Sequence, residues 1–307
     1  MQIFRSIDHV FPSECVVALG CFAGVHKGHA AVLGEAKKIS VQKNIPLCVF
    51  SFSEPPRNFF CEVSVPLITS ESEKLRLLAD MGTDVAVCVP FDENILSMTA
   101  EDFINIILLN RLRAAHVVCG YNYTFGKGAL GTPELIGKLC KTRGVGVTVT
   151  PDLCVNGISV SSSEIRRRVA EGDMDTAAML LGRNYSLSGK VVDGQHLARR
   201  LGFPTVNIIP SQKLLIPKNG VYVSAVRFDN ERKYGITNVG LRPTVNTHIL
   251  CAETHLFDFD GDLYGKSITV EFLRFMREET KFQSVEQMAI QIENDILEAK
   301  KYLQSMG

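Results

Sequence analysis

Two histidines and a run of glycines follow the first strand-like segment of the chain. Residues 20–29 read Gly-Cys-Phe-Ala-Gly-Val-His-Lys-Gly-His and lead into a helix-like stretch. Free backbone N–H groups and the positive end of a helix dipole attract anions. His26 and His29 can donate hydrogen bonds to charge that develops on phosphate oxygens. The pattern predicts a phosphate site, in which Gly24 and Gly28 let the backbone approach the ligand closely.

On these residues alone, two other interpretations stay open. A glycine-rich turn between a strand and a helix can have a purely structural role. A metal site is the second alternative, because His26 and His29 stand three residues apart, but no third ligand follows at a suitable spacing.

A run of serines precedes an arginine further along the chain, where residues 161–166 read Ser-Ser-Ser-Glu-Ile-Arg. Serine hydroxyls at a helix N-terminus, together with an arginine in the first turn, can form a second phosphate cradle. The alternative is structural. Ser161 and Glu164 have the spacing of a helix capping box, and Arg166 begins a run of three arginines that is typical of a solvated face.

The C-terminal half carries polar side chains in a strand-like run, where residues 202–207 read Gly-Phe-Pro-Thr-Val-Asn. Thr205 and Asn207 are two residues apart, so on a strand both side chains point to the same face. A hydroxyl and an amide oxygen there can meet a hard cation. A Gly-Phe-Pro turn between two strands would explain each residue singly, and a lone strand glutamate such as Glu253 is otherwise a surface residue.

Short β-branched runs alternate with longer amphipathic ones in the N-terminal half. This alternation predicts a parallel sheet flanked by helices, a Rossmann-like α/β domain. The predicted strands cover residues 15–22, 46–53, 85–91, 116–120 and 146–151. Helices are predicted to begin near His29, Ser70, Thr99 and Thr132.

The pattern changes near residue 161. Two short helices are predicted first, one that ends near Gly172 and one that is capped by Asp173 and stops at Gly182. Closely spaced strands separated by turns then favour an antiparallel barrel or sandwich. These strands are predicted at residues 187–192, 221–228, 234–238, 251–257 and 267–275.

A C-terminal helix with a capping box at Ser284 is predicted to pack on the barrel. Its apolar face would consist of Val285, Met288, Ile292, Ile296 and Leu303. The change of pattern divides the chain into a first domain, residues 1–182, and a second domain, residues 183–307.

Length and charge narrow the class of protein. The chain has 307 residues, about twice the usual single-domain length. Lysine plus arginine equals aspartate plus glutamate at 33 each, so there is no overall attraction for nucleic acid or an anionic membrane. The N-terminus lacks the pattern of a signal peptide, and no apolar run reaches membrane-spanning length. We expect a cytoplasmic protein with small-molecule substrates and no nucleic-acid or membrane partner; the oligomeric state is not indicated.

The nine cysteines form no C-x-x-C pair, and most lie in apolar, strand-like runs. This distribution favours buried, reduced thiols over disulfides or a zinc site. We therefore expect no structural metal.

The motifs occur in order over nearly the whole chain, and together they resemble the prokaryotic bifunctional riboflavin kinase/FMN adenylyltransferase family. The H-x-G-H pattern at residues 26–29 is similar to that of nucleotidyltransferases, and the Gly-Phe-Pro-Thr run at residues 202–205 is similar to that of riboflavin kinases. The resemblance implies a nucleotidyltransferase domain followed by a riboflavin kinase barrel. It also implies ATP, riboflavin and FMN as substrates, with Mg²⁺ bound as Mg-ATP.

Roles for individual residues follow from the resemblance. The implied catalytic residues are His26, His29 and Glu253, and the implied Mg²⁺ ligands are Thr205 and Asn207. Flavin contacts are implied for Asn122, Tyr123 and Phe125. ATP or phosphate contacts are implied for Gly20, Phe22, Gly24, Gly28, Ser161, Ser162, Ser163, Arg166, Gly194, Gly202 and Pro204.

The sequence departs from the family pattern at three places. Ala23 stands where the family usually has aspartate, and residues 51–56 read Ser-Phe-Ser-Glu-Pro-Pro where the family has a second histidine-bearing loop. Both changes remove polar groups, so we expect slow adenylylation of FMN. Ala198 replaces a glycine without removing a catalytic group. A kinase with a degenerate first domain and a flavin-binding regulator without turnover are the alternatives.

Overall fold

A computed structural model describes residues 1–60, 62, 64–193, 202–243 and 248–306, with backbone alone for 241–243, 248 and 249. Its contacts divide the chain into two compact units, Met1–Glu164 and Ile165–Gly307.

The first unit is built on a six-stranded parallel sheet with the order β1-β4-β3-β2-β5-β6. All residues of β2 and β4 are buried, as expected for parallel strands that helices cover on both faces. The predicted Rossmann-like sheet is confirmed. The strands are β1 Gln2–Phe4, β2 Cys15–Leu19, β3 Leu47–Phe52, β4 Val85–Val89, β5 Ala114–Gly120 and β6 Gly146–Thr150.

Side-chain caps fix the starts of the helices between these strands. Ser70, Thr99 and Thr132 each accept a hydrogen bond from a backbone N–H in the first turn, as the sequence predicts. The helices are α1 Lys27–Lys43, α2 Glu71–Asp80, α3 Glu93–Ser97, α4 Ala100–Asp102 and α5 Pro133–Lys141. Helix α4 continues as a π-helix, Phe103–Arg111, and single 3₁₀ turns lie at Pro56–Phe59 and Lys127–Ala129.

The start of helix α1 and the presence of strand β1 differ from the sequence analysis. Helix α1 begins at Lys27 rather than near His29, because the imidazole of His26 acts as its N-cap. Strand β1 was not predicted, since three residues that are mostly exposed give no alternating pattern. A small hairpin of β7, Cys154–Val155, and β8, Ile158–Ser159, precedes the end of the unit.

The second unit begins within α6, Ser162–Glu171, which α7, Met174–Leu181, follows. Asp173 caps α7 at its N-terminus. Gly182 ends α7 in the left-handed conformation with φ of 78°, which favours glycine. The predicted pair of helices is confirmed.

The rest of the second unit is a closed antiparallel barrel with the order β10-β13-β12-β11-β14-β9, so the barrel, not the sandwich, is correct. In the described part of the chain, β9 and β10 are joined by two residue pairs, Asn207 with Val192 and Ile208 with Val191. The strands are β9 Tyr185–Val192, β10 Thr205–Ile208, β11 Gly220–Phe228, β12 Glu231–Pro243, β13 His248–Leu256 and β14 Ser267–Arg277.

Helix α8, Val285–Ser305, covers one outer face of the barrel. Val221, Val223 and Ala225 alternate along β11 and pack in one apolar cluster with this helix. Ile292, Ile296 and Leu303 contribute as predicted, whereas Val285 in the first turn is 47% exposed. The alternate residue Ser224 points to the other side of β11, where it hydrogen-bonds to Thr237 of β12.

No helix in the described ranges is long and apolar enough to cross a membrane. The eight cysteines that the structure describes are free thiols, and six of them are buried. Within the same residues, no group of three or more His, Cys, Asp and Glu side chains is arranged to hold a metal.

Helix α7 contacts β9 and β14, which bears on where a stable fragment of the second unit begins. Met174, Leu180 and Leu181 are buried, and each such side chain stabilises the fold by about 2 kcal/mol. We expect a fragment of residues 165–307 to unfold cooperatively, and a fragment of residues 183–307 to melt at a clearly lower temperature. Thermal unfolding of the two fragments measures this difference; equal melting temperatures would show that α7 adds nothing to the barrel.

Candidate active sites

The first site lies where the order of the parallel sheet reverses. Strand β2 has β3 on one side and β5 on the other, so the connections that leave β2 and β5 open a crevice at their carboxyl ends. A cavity of about 320 Å³ occupies this place. Its lining includes His26, Gly28, His29, Asn122, Tyr123, Ser161 and Ser162.

The loop after β2 takes its shape from left-handed backbone positions. Phe22, Gly24 and Val25 have φ of 47°, 78° and 41°. A methyl group at Gly24 would lie 2.8 Å from Ile68, and one at Gly20 would lie 3.1 Å from the Phe22 ring. Gly20, Phe22 and Gly24 are not in the lining of the large cavity but shape the loop that carries His26, and their contacts with ATP stay a prediction.

The two histidines form one stacked pair. Their ring centroids are 3.6 Å apart with an interplanar angle of 14°. The Nδ1 atom of His26 accepts the backbone N–H of His29 at 3.3 Å, so a neutral His26 carries its proton on Nε2. A methyl group at Gly28 would lie 3.2 Å from the His26 ring, which explains the need for glycine there.

His29 is kept neutral by its surroundings. Burial, the neighbouring His26 and the charge of Lys74 together hold the pKa of His29 well below its usual value. Its Nδ1 atom is buried and, among the described residues, has no hydrogen-bond partner. A neutral imidazole with an unsatisfied ring nitrogen can donate to, or accept from, a ligand in the cavity.

The serine run contributes two of its three side chains to this cavity. Ser161 accepts the backbone N–H of Glu164 at 3.2 Å, and Ser162 donates to the Ala23 carbonyl at 3.1 Å. Ser163 is exposed and does not line the cavity. Arg166 follows Ser162 by one helical turn on α6 and is partly buried.

The asparagine-containing loop after β5 is divided between cavity and core. Asn122 and Tyr123 line the cavity, and burial raises the pKa of Tyr123. Phe125 lies in the apolar core instead, with its ring 5.7 Å from Tyr123 and 5.1 Å from Phe103. The structure thus makes Phe125 a support for Tyr123.

The second unit holds two neighbouring cavities that share Thr205. The first, about 310 Å³, is lined by barrel strands and α8, with Val221, Ile236 and Ile292 among its apolar side chains. The second, about 350 Å³, is lined by β10, β13 and residues 259–264. Thr205 therefore lies at the junction of an apolar cavity and a loop-lined one.

Three polar side chains form a row across the barrel strands next to this junction. Asn207 of β10 pairs with Glu253 of β13, which pairs in turn with Asn238 of β12. Directly opposed residues share one face of a sheet, so the three side chains project together with Thr205. Glu253 and Asn238 line the apolar cavity, whereas Asn207 is 2% exposed.

His255 lines the same cavity and was missed by the sequence analysis. Its Nδ1 atom donates to the Pro204 carbonyl at 2.9 Å, which leaves an acceptor at Nε2 in the neutral ring. Phe203 meets the ring edge-on at 5.6 Å. The sequence could have indicated His255, because it lies two residues after Glu253 on the same predicted strand and therefore points to the same face.

The structure places the predicted phosphate-contacting residues Gly194, Gly202 and Pro204 differently. Pro204 lines the loop-lined cavity, and Gly202 stands in an exposed turn with φ of 88°. Gly194 lies outside the described residues.

A buried ion pair closes the apolar cavity on the side of α8. Arg277 at the end of β14 makes a bidentate contact with Asp295, at 2.9 and 2.7 Å, and Gln291 donates to the same carboxylate at 2.9 Å. The Asp295 side chain is 3% exposed. Sequence reasoning missed both partners, although an aspartate on the apolar stripe of α8 was a visible signal.

Breaking this pair should destabilise the second unit. We expect Asp295→Ala to lower its free energy of unfolding by about 3 kcal/mol, because Arg277 would be left without its carboxylate. The double variant Arg277→Met/Asp295→Leu should recover most of that loss. Denaturant unfolding of the three chains measures the effect; a single variant as stable as the parent would show that the pair does not hold α8.

The described residues thus form a two-unit chain, with a crevice lined by histidines and serines on the parallel sheet and a pair of neighbouring cavities on the antiparallel barrel. Residues 8–164 match the family model for FAD synthetase, and residues 181–303 match the one for riboflavin kinase. The chain is 35% identical over 307 residues to the bifunctional riboflavin kinase/FMN adenylyltransferase of Escherichia coli K12, covering 98% of each chain. It is 33% identical over 306 residues to that of Pseudomonas fluorescens, covering 98% of this chain and 97% of the relative.

The chain therefore belongs to the bifunctional riboflavin kinase/FMN adenylyltransferase family. A crystal structure from Streptococcus pneumoniae, described as a macrolide-efflux protein, superposes with a TM-score of 0.89 at 29% identity. The match covers 97% of this chain and 98% of that one.

Proposed function

We propose that the second unit phosphorylates riboflavin with ATP to give FMN, and that the first unit transfers AMP from ATP to FMN to give FAD and pyrophosphate. The observation that carries the proposal is the position of Thr205. It lies between a cavity suited to a flavin and a cavity suited to a nucleotide, and Glu253 lies in the first of them.

The two cavities of the barrel fit the two substrates of a kinase. Apolar side chains such as Val221, Ile236 and Ile292 suit the flat ring system of riboflavin. The loop-lined cavity offers the backbone groups of residues 260–264 as polar contacts for a nucleotide, and the carboxylates of Asp260 and Asp262 can accept hydrogen bonds from the ribose hydroxyls. The γ-phosphate would then meet the ribityl hydroxyl beside Thr205.

The residues around Thr205 also fit a magnesium ion carried in with ATP. Thr205 and Asn207 present a hydroxyl and an amide oxygen on one face of β10, with the Glu253 carboxylate opposite Asn207. Hard oxygen donors of this kind suit Mg²⁺. Bound there, the ion would screen the charge of the transferred phosphoryl group.

Glu253 is the proposed general base of the kinase. Its carboxylate lines the flavin cavity next to Asn238 and one strand away from Thr205. It would accept the proton of the ribityl hydroxyl as that oxygen attacks the γ-phosphate, and ADP would leave.

The crevice of the first unit fits adenylyl transfer. The FMN phosphate would attack the α-phosphate of ATP, and pyrophosphate would leave. His29 is neutral and can donate a hydrogen bond to the charge that develops on the phosphate. His26, Ser161 and Ser162 line the same cavity as further polar contacts.

The alternative is a kinase with a degenerate first unit. Ala23 and Pro55 favour it, because both stand where the family has polar groups, and both line a small cavity under the loop after β2. The remaining histidines and serines support a slow adenylyltransferase. The division at residues 182 and 183, the cytoplasmic location and the lack of a nucleic-acid partner remain part of the proposal.

A time course distinguishes these functions. Purified full-length protein with riboflavin, ATP and Mg²⁺ should form FMN first and FAD later, with the two separated by chromatography. FMN without any FAD, even with FMN and ATP in excess, would leave the kinase alone. The absence of both products would refute the proposal.

A further inference from the structure

Lys74 is a buried cation in the first unit. It lies on the inner face of α2 together with Leu75 and Leu78, and it is 5% exposed. Its ammonium donates to the carbonyl of Phe52, the last residue of β3. Burying an ammonium is costly unless a counter-charge is nearby.

No carboxylate within the described ranges lies within ion-pair distance of Lys74. Glu71, one turn earlier on α2, lines the same cavity but contacts Arg5 and the Cys88 thiol, the latter at 3.4 Å. Among the residues that the structure describes, Lys74 thus has a hydrogen bond but no paired anion.

The ammonium faces the loop that carries the histidines. Lys74 lines a cavity of about 20 Å³ with Cys21, Ala23, Gly24 and Pro55. That volume holds one water-sized group, such as a single phosphate oxygen. Cys21 also lines the large cavity, and the charge of Lys74 helps to lower the pKa of His29, so the two cavities belong to one electrostatic environment.

Sheet order places Lys74 on the opposite side of this loop from the serines. The large cavity, with Ser161 and Ser162, opens between β2 and β5, whereas the Phe52 carbonyl ends β3 on the other side of β2. Adenylyl transfer brings together two phosphates, that of the nucleotide and that of the acceptor. The serine side already offers donors for one of them.

We propose that Lys74 binds the phosphate of the acceptor FMN in the first unit. The inference rests on the proposed adenylyl transfer and adds the residue that recognises the nucleophile. The phosphate would supply the missing counter-charge of Lys74, and the ammonium would reduce repulsion between the two phosphates as they approach.

Two substitutions separate the charge from the hydrogen bond. Lys74→Gln keeps a donor for the Phe52 carbonyl and removes the charge, while Lys74→Met removes both. Arg76→Gln is the matched control, because it removes one positive charge from the exposed side of the same helix.

In FAD formation by the full chain, both Lys74 variants should raise the KM for FMN by about tenfold or more. The KM for ATP, the formation of FMN from riboflavin and the Arg76→Gln variant should change little. A rise in the KM for ATP alone would assign Lys74 to the nucleotide, and no change in either KM would leave it a structural role; both results overturn the proposal.

Thermal unfolding tests the same idea without turnover. Because an unpaired charge is removed, Lys74→Met should raise the melting temperature of the unliganded chain by about 3 °C. Titration with inorganic phosphate should stabilise the parent more than either Lys74 variant. A lower melting temperature with an unchanged phosphate response would overturn the proposal. If the parent forms no FAD, adenylyl transfer fails, and the phosphate titration alone decides the assignment of Lys74.

Discussion

Replacing Glu253 with glutamine is expected to lower kcat for FMN formation by about 100- to 10,000-fold. The substitution keeps the shape of the side chain in the apolar cavity and removes its basicity. Riboflavin binding should therefore change little, so the loss should appear in kcat rather than in KM. Steady-state kinetics of the full-length chain measures both constants.

Glu271→Gln is the matched control for this experiment. Glu271 is also a barrel glutamate, but it pairs with Arg227 and Arg232 and lines neither cavity of the barrel. Its variant should keep the parental kcat, and both variants should form FAD from added FMN at the parental rate. If Glu253→Gln formed FMN at the parental rate, Glu253 would not be the general base of the kinase.

Replacing His29 with alanine is expected to lower FAD formation from FMN by about 100- to 1,000-fold, because one preorganised donor is lost. FMN formation should continue, since the barrel carries its own residues. The parental rate of FAD formation should also hold through pH 6.5, about the usual pKa of histidine, because a lowered pKa keeps His29 neutral at more acidic pH.

The control for this variant is His9→Ala, which removes an exposed imidazole that contacts the Phe4 ring instead of the cavity. Both rates should stay at the parental level in it. A pH profile of the parent that falls with a midpoint near pH 6.5 would contradict a neutral His29. If His29→Ala formed FAD at the parental rate, that result would contradict the role of His29 as a hydrogen-bond donor.

The strands of the parallel sheet could be predicted because each is a short apolar run, as in β2, where every residue is buried. The helix starts at Ser70 and Thr132 could be predicted because capping is a local interaction. Strand β1 could not, since its pairing with β4 and the packing of Phe4 on the core both join it to residues that are distant in the sequence. Local patterns therefore predicted most elements and failed where the stabilising contact is remote.

The same distinction holds for the sites. Thr205 and Glu253 could be predicted as site residues because motif and strand alternation mark them, and the structure places both in the lining of one cavity. Asp295 on the apolar stripe of α8 signals a buried charge, but its partner Arg277 lies at a strand end, and no local pattern indicates which residue it pairs with. Phe125 belongs to a motif, but its ring lies in the apolar core and stacks on Tyr123, a placement that the motif alone does not reveal. Which face an aromatic ring takes depends on loop geometry that composition does not reveal.

The short pairing between β9 and β10 has a consequence for motion. Two residue pairs join these strands in the described part of the chain, and one of them contains Asn207. Among the described pairings of the barrel this is the shortest, and a shorter ladder contributes less free energy against local opening than a longer one. ATP bound in the loop-lined cavity, as proposed, would contact β10 at Thr205 and would therefore stabilise this part of the barrel against local opening.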